Sequence, residues 1–334
     1  VFAAHINGSR ADNVRRASIK NATLSAGESL ILFTVETDEL NDWYNGYTYL
    51  DTLSADAVNE FIQLTHDAYL KRCGEHFGKT VPGIFTDEPN HGNMLPAKNL
   101  SLPWTPQLPE IFKSRYNFDL VPELMSLVFD VDGKETTRAR YCYHECVAYL
   151  FSDNFGRLIG EWCEKNNLLY TGHLLEEPTL SHQTNVVSDC MRFYEYMQAP
   201  GIDVLSEGNI EFDTAKQVAS VANQFNRKWR LSETYGCTGW DFSFEGHKAV
   251  SDWQVALGIN LRCQHLSWYS MQGQAKRDYP AGIFYQSPWW DQYSKVEDYF
   301  ARVHVLMSEG KEVRDLLVIH PVESMWLKVK KDWR

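Results

Sequence analysis

The chain repeats one pattern of hydrophobic and polar positions. A short apolar run ends on an acidic residue, and a stretch with apolar residues at helical spacing follows it. In "VPGIFTDEPN" (81–90), the apolar residues lead into Thr86, Asp87 and Glu88, and Pro89 closes the run. The first half is typical of a buried strand, and the proline favours a turn out of the sheet just after the carboxylates.

The same pattern recurs and predicts an alternation of strands and helices. Later strands end on Glu176 and Glu177, on Glu207 and on Glu233, and Ser54 is a typical helix N-cap. Residues 1–36 are rich in β-type runs and turns, and further strands are predicted at 168–178, 201–208, 230–236, 263–270 and 315–321. Helices are predicted at 54–74, about 136–165, 186–197, 213–222, 247–258 and 294–310.

Strands that alternate with helices favour a parallel sheet with right-handed crossovers. Acidic residues at several strand ends favour a barrel, because its catalytic groups gather at the carboxyl ends of the strands. No Gly-rich phosphate loop follows any strand, which argues against a dinucleotide-binding sheet. We therefore predict a (β/α)8 TIM-type barrel, incomplete at its N-terminus and with a β-rich insertion near the start. The predicted divisions are 1–46 (insertion or preceding segment), 47–314 (catalytic barrel) and 315–334 (start of a following domain).

Charge and composition narrow the classes of partner. The formal net charge of −12 argues against nucleic acid and against an anionic membrane surface as partners. No run of 18 apolar residues is present to span a membrane. The seven cysteines are scattered and odd in number, which fits reduced thiols and favours the cytoplasm. The oligomeric state is not predicted.

Converging carboxylates and abundant aromatic residues indicate carbohydrate chemistry. Glycoside hydrolysis needs one carboxylic acid to protonate the leaving oxygen and a second carboxylate to attack the sugar or activate water. Aromatic residues make up 13% of the chain, and their rings can stack on the apolar faces of sugars. A single tryptophan is nevertheless more often a core residue, and a single acid at a strand end can be structural.

Three stretches carry a resemblance to a known group of enzymes. "YLDTLSADAVNEFIQLTHDAYLKRCGEHFGKTVPGIFTDEPN", "GINLRCQHLSWYSMQGQAKRDYP" and "DLLVIHPVESMW" are similar to bacterial glycoside hydrolases with clan A-type barrels, including family 42 β-galactosidases and rhamnosidase-like glycosidases. The resemblance implies that "TYLDTLS" is the third barrel strand and "GIFTDEP" the fourth. It then implies that Glu88 is the acid/base and that Glu233, at the end of the seventh strand, is the nucleophile.

The chain departs from that family pattern at Asp87, where the clan usually has Asn before its acid/base Glu. A neighbouring carboxylate can raise the pKa of Glu88 by like-charge repulsion. It can equally indicate a calcium site or an inverting mechanism, as in the rhamnosidase-like relatives. We predict no cofactor and no bound metal, with calcium as the alternative.

The predicted function is hydrolysis of a glycosidic bond in an oligosaccharide or in a plant or host glycan. The alternatives are a non-catalytic carbohydrate-binding barrel and a metal-dependent hydrolase that uses His173, His265 and the acids. We expect Glu88 and Glu233 to face each other across the barrel mouth. The predicted substrate-binding residues are Asp87, His173, Glu177, Glu207, Tyr235, Trp240, His265, Trp289 and Trp290.

Overall fold

The computed structural model describes residues 1–92, 101–208, 210–265, 272, 279 and 282–328. Nine strands lie in these ranges: β1 Phe2–Asn7, β2 Arg10–Arg16, β3 Ser29–Ile31, β4 Gly83–Thr86, β5 Asp130–Val131, β6 Leu169–Gly172, β7 Ala199–Asp203, β8 Leu231–Thr234 and β9 Leu261–Gln264. The helices are α1 Ala55–Phe61, α2 Asp67–Cys73, α3 Leu108–Tyr116, α4 Leu124–Val128, α5 Arg138–Leu150, α6 Leu158–Lys165, α7 Leu180–Val186, α8 Cys190–Tyr194, α9 Phe212–Gln224, α10 Phe244–Ala256, α11 Ser294–Ser308 and α12 Val322–Lys328.

The strands form two sheets. The first sheet has the order β3-β1-β2-β5, with antiparallel pairs around β1 and a parallel pair between β2 and β5. The second sheet has the order β4-β6-β7-β8-β9, and every pair in it is parallel. The β-rich start and the parallel sheet were both predicted from the hydrophobic pattern, and both are confirmed.

The predicted eight-stranded barrel is wrong. Within the described ranges the parallel sheet has five strands, and its outer strands β4 and β9 are not paired with each other. The stretch 48–54, expected as a third barrel strand, forms no ladder; its Tyr49 and Thr52 side chains bond instead to the backbone of Asn90 in the loop after β4. The stretch 315–321 is not a strand either; its Leu317 is 93% exposed, and none of the strands in the described ranges pairs with it.

The predicted helix start at Ser54 and the predicted long helix are both found in the structure. The Ser54 hydroxyl accepts a hydrogen bond from the Ala57 amide at the start of α1, as the N-cap prediction requires. The predicted helix at 136–165 is confirmed as α5 and α6, which are joined by the π-helical segment Phe151–Arg157. That segment packs Phe151 into the main core beside Phe193 of α8. The helices therefore cover the parallel sheet and fix its strands in place.

Gly172 sets the contact between β4 and β6. Its φ of 126° is unfavourable for a residue with a side chain, and a Cβ here would collide with the carbonyl oxygen of Thr86. The two strands therefore approach closely just where their carboxyl ends carry the acidic residues. None of the helices in the described ranges has both the length and the apolar character needed to cross a membrane.

Replacing Gly172 with Ala is expected to lower the free energy of unfolding by about 2–4 kcal/mol, because of backbone strain and the collision with Thr86. Urea unfolding followed by tryptophan fluorescence measures the change. Gly208→Ala is the matched control, because a Cβ there meets only the Ser206 hydroxyl, at 3.9 Å. A parent-like midpoint for Gly172→Ala would show that β4 and β6 can separate without cost.

Candidate active site

Four titratable residues gather at the carboxyl edge of the parallel sheet. Glu88 lies two residues beyond β4, His173 directly follows β6, Asp203 ends β7, and Glu233 lies in β8. The ladder pairs Asp203 with Glu233, and parallel strands bring their carboxyl ends to one edge. We call Glu88, His173, Asp203 and Glu233 the strand-end cluster.

The centre of the strand-end cluster is the imidazole of His173, which is 1% exposed. Its Nε2 lies 2.9 Å from Oε2 of Glu233 and 3.6 Å from Oδ1 of Asp87. The Asp87 side chain is 75% exposed, so its charge is screened by water, whereas the Glu233 carboxylate is mostly enclosed. The bond to Glu233 is therefore the stronger of the two.

The charge of His173 is decided by competition between burial and its acidic neighbours. Burial alone would lower the pKa of His173, but the hydrogen bond to Glu233 and the charges of Asp203 and Glu177 outweigh burial and raise this pKa to about 9. The imidazole is therefore a cation at neutral pH. It places one positive charge among the carboxylates of the sheet edge.

Burial raises the pKa of two other members of the cluster. The pKa of Glu88 is raised mainly by desolvation, with smaller contributions from Asp87 and Glu233 and an opposing effect of His173. The pKa of Asp203 is raised to about 7, again mainly by desolvation. Each of these carboxyl groups holds a proton more readily than a free carboxylic acid does.

The cluster is also dense enough to contact one ion. Glu88, His173 and Asp203 each offer a ligand atom, and these atoms lie within 4.8 Å of one another. Two buried atoms of the cluster, Nδ1 of His173 and Oδ1 of Asp203, have no hydrogen-bond partner among the described residues. Such atoms point to a ligand or to water at the centre of the cluster.

Glu177 lies beneath the cluster and not at its surface. It is 3% exposed, and its carboxylate accepts hydrogen bonds from the amides of Leu174 (3.1 Å) and Asp203 (3.2 Å) and from the hydroxyl of Tyr194. Burial raises its pKa. In the structure this residue connects the loop after β6 to the end of β7.

The structure places Tyr235 away from the open edge. Tyr235 is fully buried, and its hydroxyl bonds to Ser251 (2.7 Å) and to Arg262 (2.7 Å), which also pairs with Glu297 of α11. The predicted contact of Tyr235 with a sugar stays a prediction. Its observed contacts join the end of β8 to the helices behind the sheet.

The other predicted binding residues lie on loops after the strands. Glu207 and Trp240 are exposed, and His265 directly follows β9, where its amide bonds to the Thr234 carbonyl. The ring of Trp290 is 40% exposed and stacks on Tyr293, whereas Trp289 packs partly into a small core.

Asp203 is a member of the cluster that sequence reasoning missed. It lies within the stretch 201–208, whose strand was expected to end at Glu207, whereas β7 ends at Asp203 itself. A strand boundary four residues earlier would have singled out Asp203. The signal was the turn composition after it, since "SEGN" (206–209) favours a loop.

Comparison with known proteins confirms the predicted class, a glycoside hydrolase. The chain belongs to glycoside hydrolase family 106, whose family model, described as alpha-L-rhamnosidase, matches residues 45–329. The predicted likeness to rhamnosidase-like glycosidases is thereby confirmed, while the likeness to family 42 stays a prediction.

Two relatives illustrate the likeness. A protein of Formosa agariphila that carries the provisional name beta-glucuronidase is 24% identical over 276 residues, which are 80% of this chain and 22% of that protein. The structure of a rhamnosidase from Novosphingobium sp. PP1Y is similar in fold, with a TM-score of 0.62 and 20% identity over 79% of this chain and 26% of that one. The chain thus spans about a quarter of the length of these proteins.

Replacing Glu233 with Gln is expected to lower the pKa of His173 from about 9 towards its ordinary value of 6.5, because a charged hydrogen-bond partner is lost. An NMR titration of the imidazole nitrogens measures this shift. Glu28→Gln, which affects a carboxylate paired with Arg15, is the matched control.

The same titration has a consequence for stability. The pKa of His173 is raised in the folded protein, so its contribution is fully present below pH 6.5 and is lost as the pH rises through about 9. In Glu233→Gln this loss between pH 6.5 and 9 should be smaller. An unchanged pKa for His173 would contradict the dominant role of Glu233.

Proposed function

We propose that the strand-end cluster is the catalytic centre of a glycosidase that cleaves α-L-rhamnosidic bonds in an oligosaccharide or glycan. The observation that carries this proposal is the unequal environment of two carboxyl groups around one imidazolium. Glu233 is hydrogen-bonded to His173, whereas burial raises the pKa of Glu88. Glycoside hydrolysis requires such a pair, with one group protonated and the other ionised.

Glu88 is the general acid in this proposal. A general acid must hold its proton near the working pH, and desolvation of Glu88 favours the protonated form. Donation of that proton to the glycosidic oxygen makes the leaving sugar a neutral alcohol. The proton is needed most when the leaving alcohol is a poor leaving group.

Glu233 supplies the second carboxylate. His173 donates its Nε2 proton to Oε2 of Glu233, and this charge-assisted hydrogen bond fixes the orientation of the carboxylate. Glu233 either attacks the anomeric carbon or removes a proton from the attacking water. The first route retains the anomeric configuration and the second inverts it, so the product anomer distinguishes them.

The charges of the cluster favour a neutral sugar. The carboxylates of Asp87 and Glu233 flank the single cation, His173, so a sugar carboxylate entering between them would meet like charges. Rhamnose carries a methyl group where a uronic acid carries a carboxylate. This supports a rhamnoside over a glucuronide as the substrate, in line with the family description.

Residues on the loops around the cluster are proposed to contact the sugar. Trp240 and Trp290 keep part of their rings exposed, and such rings can stack on the methyl and C–H faces of a deoxy sugar. Glu207 lies in the loop after β7 and His265 directly follows β9, and both offer polar groups to sugar hydroxyls.

The purified protein is expected to hydrolyse both 4-nitrophenyl and alkyl α-L-rhamnosides, with the product anomer followed by NMR. Glu88→Gln should lower kcat/KM for the alkyl rhamnoside by about 10²–10⁴-fold and spare the nitrophenyl rhamnoside, whose leaving group needs no proton. In the parent, kcat/KM for the alkyl substrate should fall as the pH rises through the raised pKa of Glu88.

Glu161→Gln on α6, an exposed partner of Arg157, is the control for this substitution and should match the parent. Parent rates for Glu88→Gln on both substrates would remove Glu88 from the mechanism. Hydrolysis of glucuronides but not of rhamnosides would overturn the proposed substrate.

Calcium is a second candidate component of the same centre. The carboxylates of Glu88 and Asp203 fit the preference of Ca²⁺ for oxygen ligands, and Oδ1 of Asp203 has no other partner among the described residues. A protonated His173 would lie beside the ion and not ligate it. A bound Ca²⁺ would supply positive charge for sugar hydroxyls. Because a carboxylate that ligates the ion carries no proton to donate, Ca²⁺ at Glu88 and general acid catalysis by Glu88 are alternatives.

Calcium binding is tested by calorimetry on chelator-treated protein. Titration with CaCl₂ should show a binding heat and raise the Tm, since a ligand that binds only the folded state stabilises it. Asp203→Asn should abolish both effects, and Asp213→Asn in the first turn of α9 should preserve them. A chelated protein with no heat and no change in Tm would contradict the calcium candidate.

A further inference from the structure

The loop after β4 contains a buried asparagine that the proposed chemistry does not use. Asn90 is 1% exposed and lies two residues beyond Glu88. We propose that Asn90 is a positioning residue, which holds the loop so that Glu88 keeps the backbone conformation that directs its carboxyl group into the strand-end cluster. This inference rests on the proposed role of Glu88 as the general acid.

Glu88 needs such support because of its backbone. Its φ is 48°, in the left-handed region that residues with a Cβ avoid. A residue in this region stays there only when its surroundings hold it, and such residues are frequent at active sites. The proline at position 89 does not supply the hydrogen bond, because it has no amide proton.

The side chain of Asn90 stabilises this backbone conformation with two hydrogen bonds. Its Nδ2 donates to the carbonyl oxygen of Glu88 at 3.1 Å, and its Oδ1 accepts from the amide of Gly92 at 3.0 Å. The amide group thus bridges the residues on either side of the turn. The carbonyl of Glu88 is fixed in direction, and with it the Glu88 backbone.

The backbone of Asn90 is tied to a different part of the chain. Its amide donates to the hydroxyl of Tyr49 at 3.2 Å, and its carbonyl accepts from the hydroxyl of Thr52 at 2.8 Å. Both partners lie in the stretch 48–54, which forms no strand. This stretch therefore supports the loop after β4.

The support continues into the core. Leu53, next to Thr52, is buried, and its carbonyl accepts a hydrogen bond from Nδ2 of Asn154 at 2.6 Å. Asn154 belongs to the π-helical segment that packs behind the sheet. A continuous path of hydrogen bonds and chain thus connects Glu88 to the helical layer through Asn90.

The direct test is Asn90→Asp, which preserves size and the acceptor for Gly92 but replaces the donor to Glu88 with an oxygen. A small displacement of a catalytic group costs rate, so kcat for the alkyl rhamnoside should fall by about 10–100-fold. Activity on the nitrophenyl rhamnoside, whose leaving group needs no proton, should stay within about twofold, and KM should change little.

Asn166→Asp is the matched control. Its Nδ2 donates to the Trp162 carbonyl at the end of α6, so it loses the same kind of bond away from the cluster. It should keep parent rates on both substrates. Thr52→Val, which removes only the outer bond to the Asn90 carbonyl, should show the same selective loss to a smaller degree, and it tests the proposal if Asn90→Asp does not fold.

Two results would overturn the positioning role: parent rates for Asn90→Asp and Thr52→Val on the alkyl rhamnoside, or an equal loss on both substrates. Glu88→Gln separates this failure from that of the proposed function. If Glu88→Gln loses only the alkyl rhamnoside while Asn90→Asp matches the parent, the general acid stands and the positioning role is wrong. If Glu88→Gln matches the parent, both proposals are wrong.

Discussion

The candidate site depends on one buried cation. Several carboxyl groups meet at the carboxyl edge of the sheet, and burial makes their mutual repulsion costly. His173 offsets this repulsion through its bond to Glu233 and its charge beside Asp203. Its own place is set by the strand ladder, since its amide bonds to the Thr86 carbonyl at 3.3 Å. The close approach of β4 and β6 at Gly172 thus determines where the positive charge lies.

A second, deeper acid keeps this arrangement rigid. Glu177 accepts hydrogen bonds from the amides of Leu174 and Asp203, next to the imidazole and at the end of β7. Its carbonyl also accepts from the side-chain amides of Gln183 and Gln217. The acids of the sheet edge therefore divide into two layers, with Glu177 holding the framework and the strand-end cluster facing the opening.

The sequence allowed prediction of the strand ends and not of the sheet closure. Glu88 and Glu233 could be placed at strand ends, because an apolar run that ends on an acidic residue is visible in the neighbouring sequence alone. The stretch 48–54 was expected to be a strand because of the resemblance to clan A-type barrels, and only the folded chain shows Tyr49 and Thr52 bonded to Asn90. The stretch 315–321 has a strand-like composition, but a strand forms only with a partner, and none lies beside it among the described residues. The hydroxyl of the buried Tyr235 is bonded by Arg262, which lies 27 residues away in sequence, and such a distant contact has no local signal.

The backbone conformation just after the strands sets how far the acidic side chains there are exposed to water. Glu88, Glu176 and Tyr235 all have positive φ values, so the chain turns sharply after β4, β6 and β8. A sharp turn lets consecutive residues point in different directions: Asp87 is exposed to water while Glu88 is half-buried. Asp87 thus lies in water, whereas Glu88 in the left-handed turn is partly desolvated, and this desolvation raises the pKa of Glu88 as general acid catalysis requires.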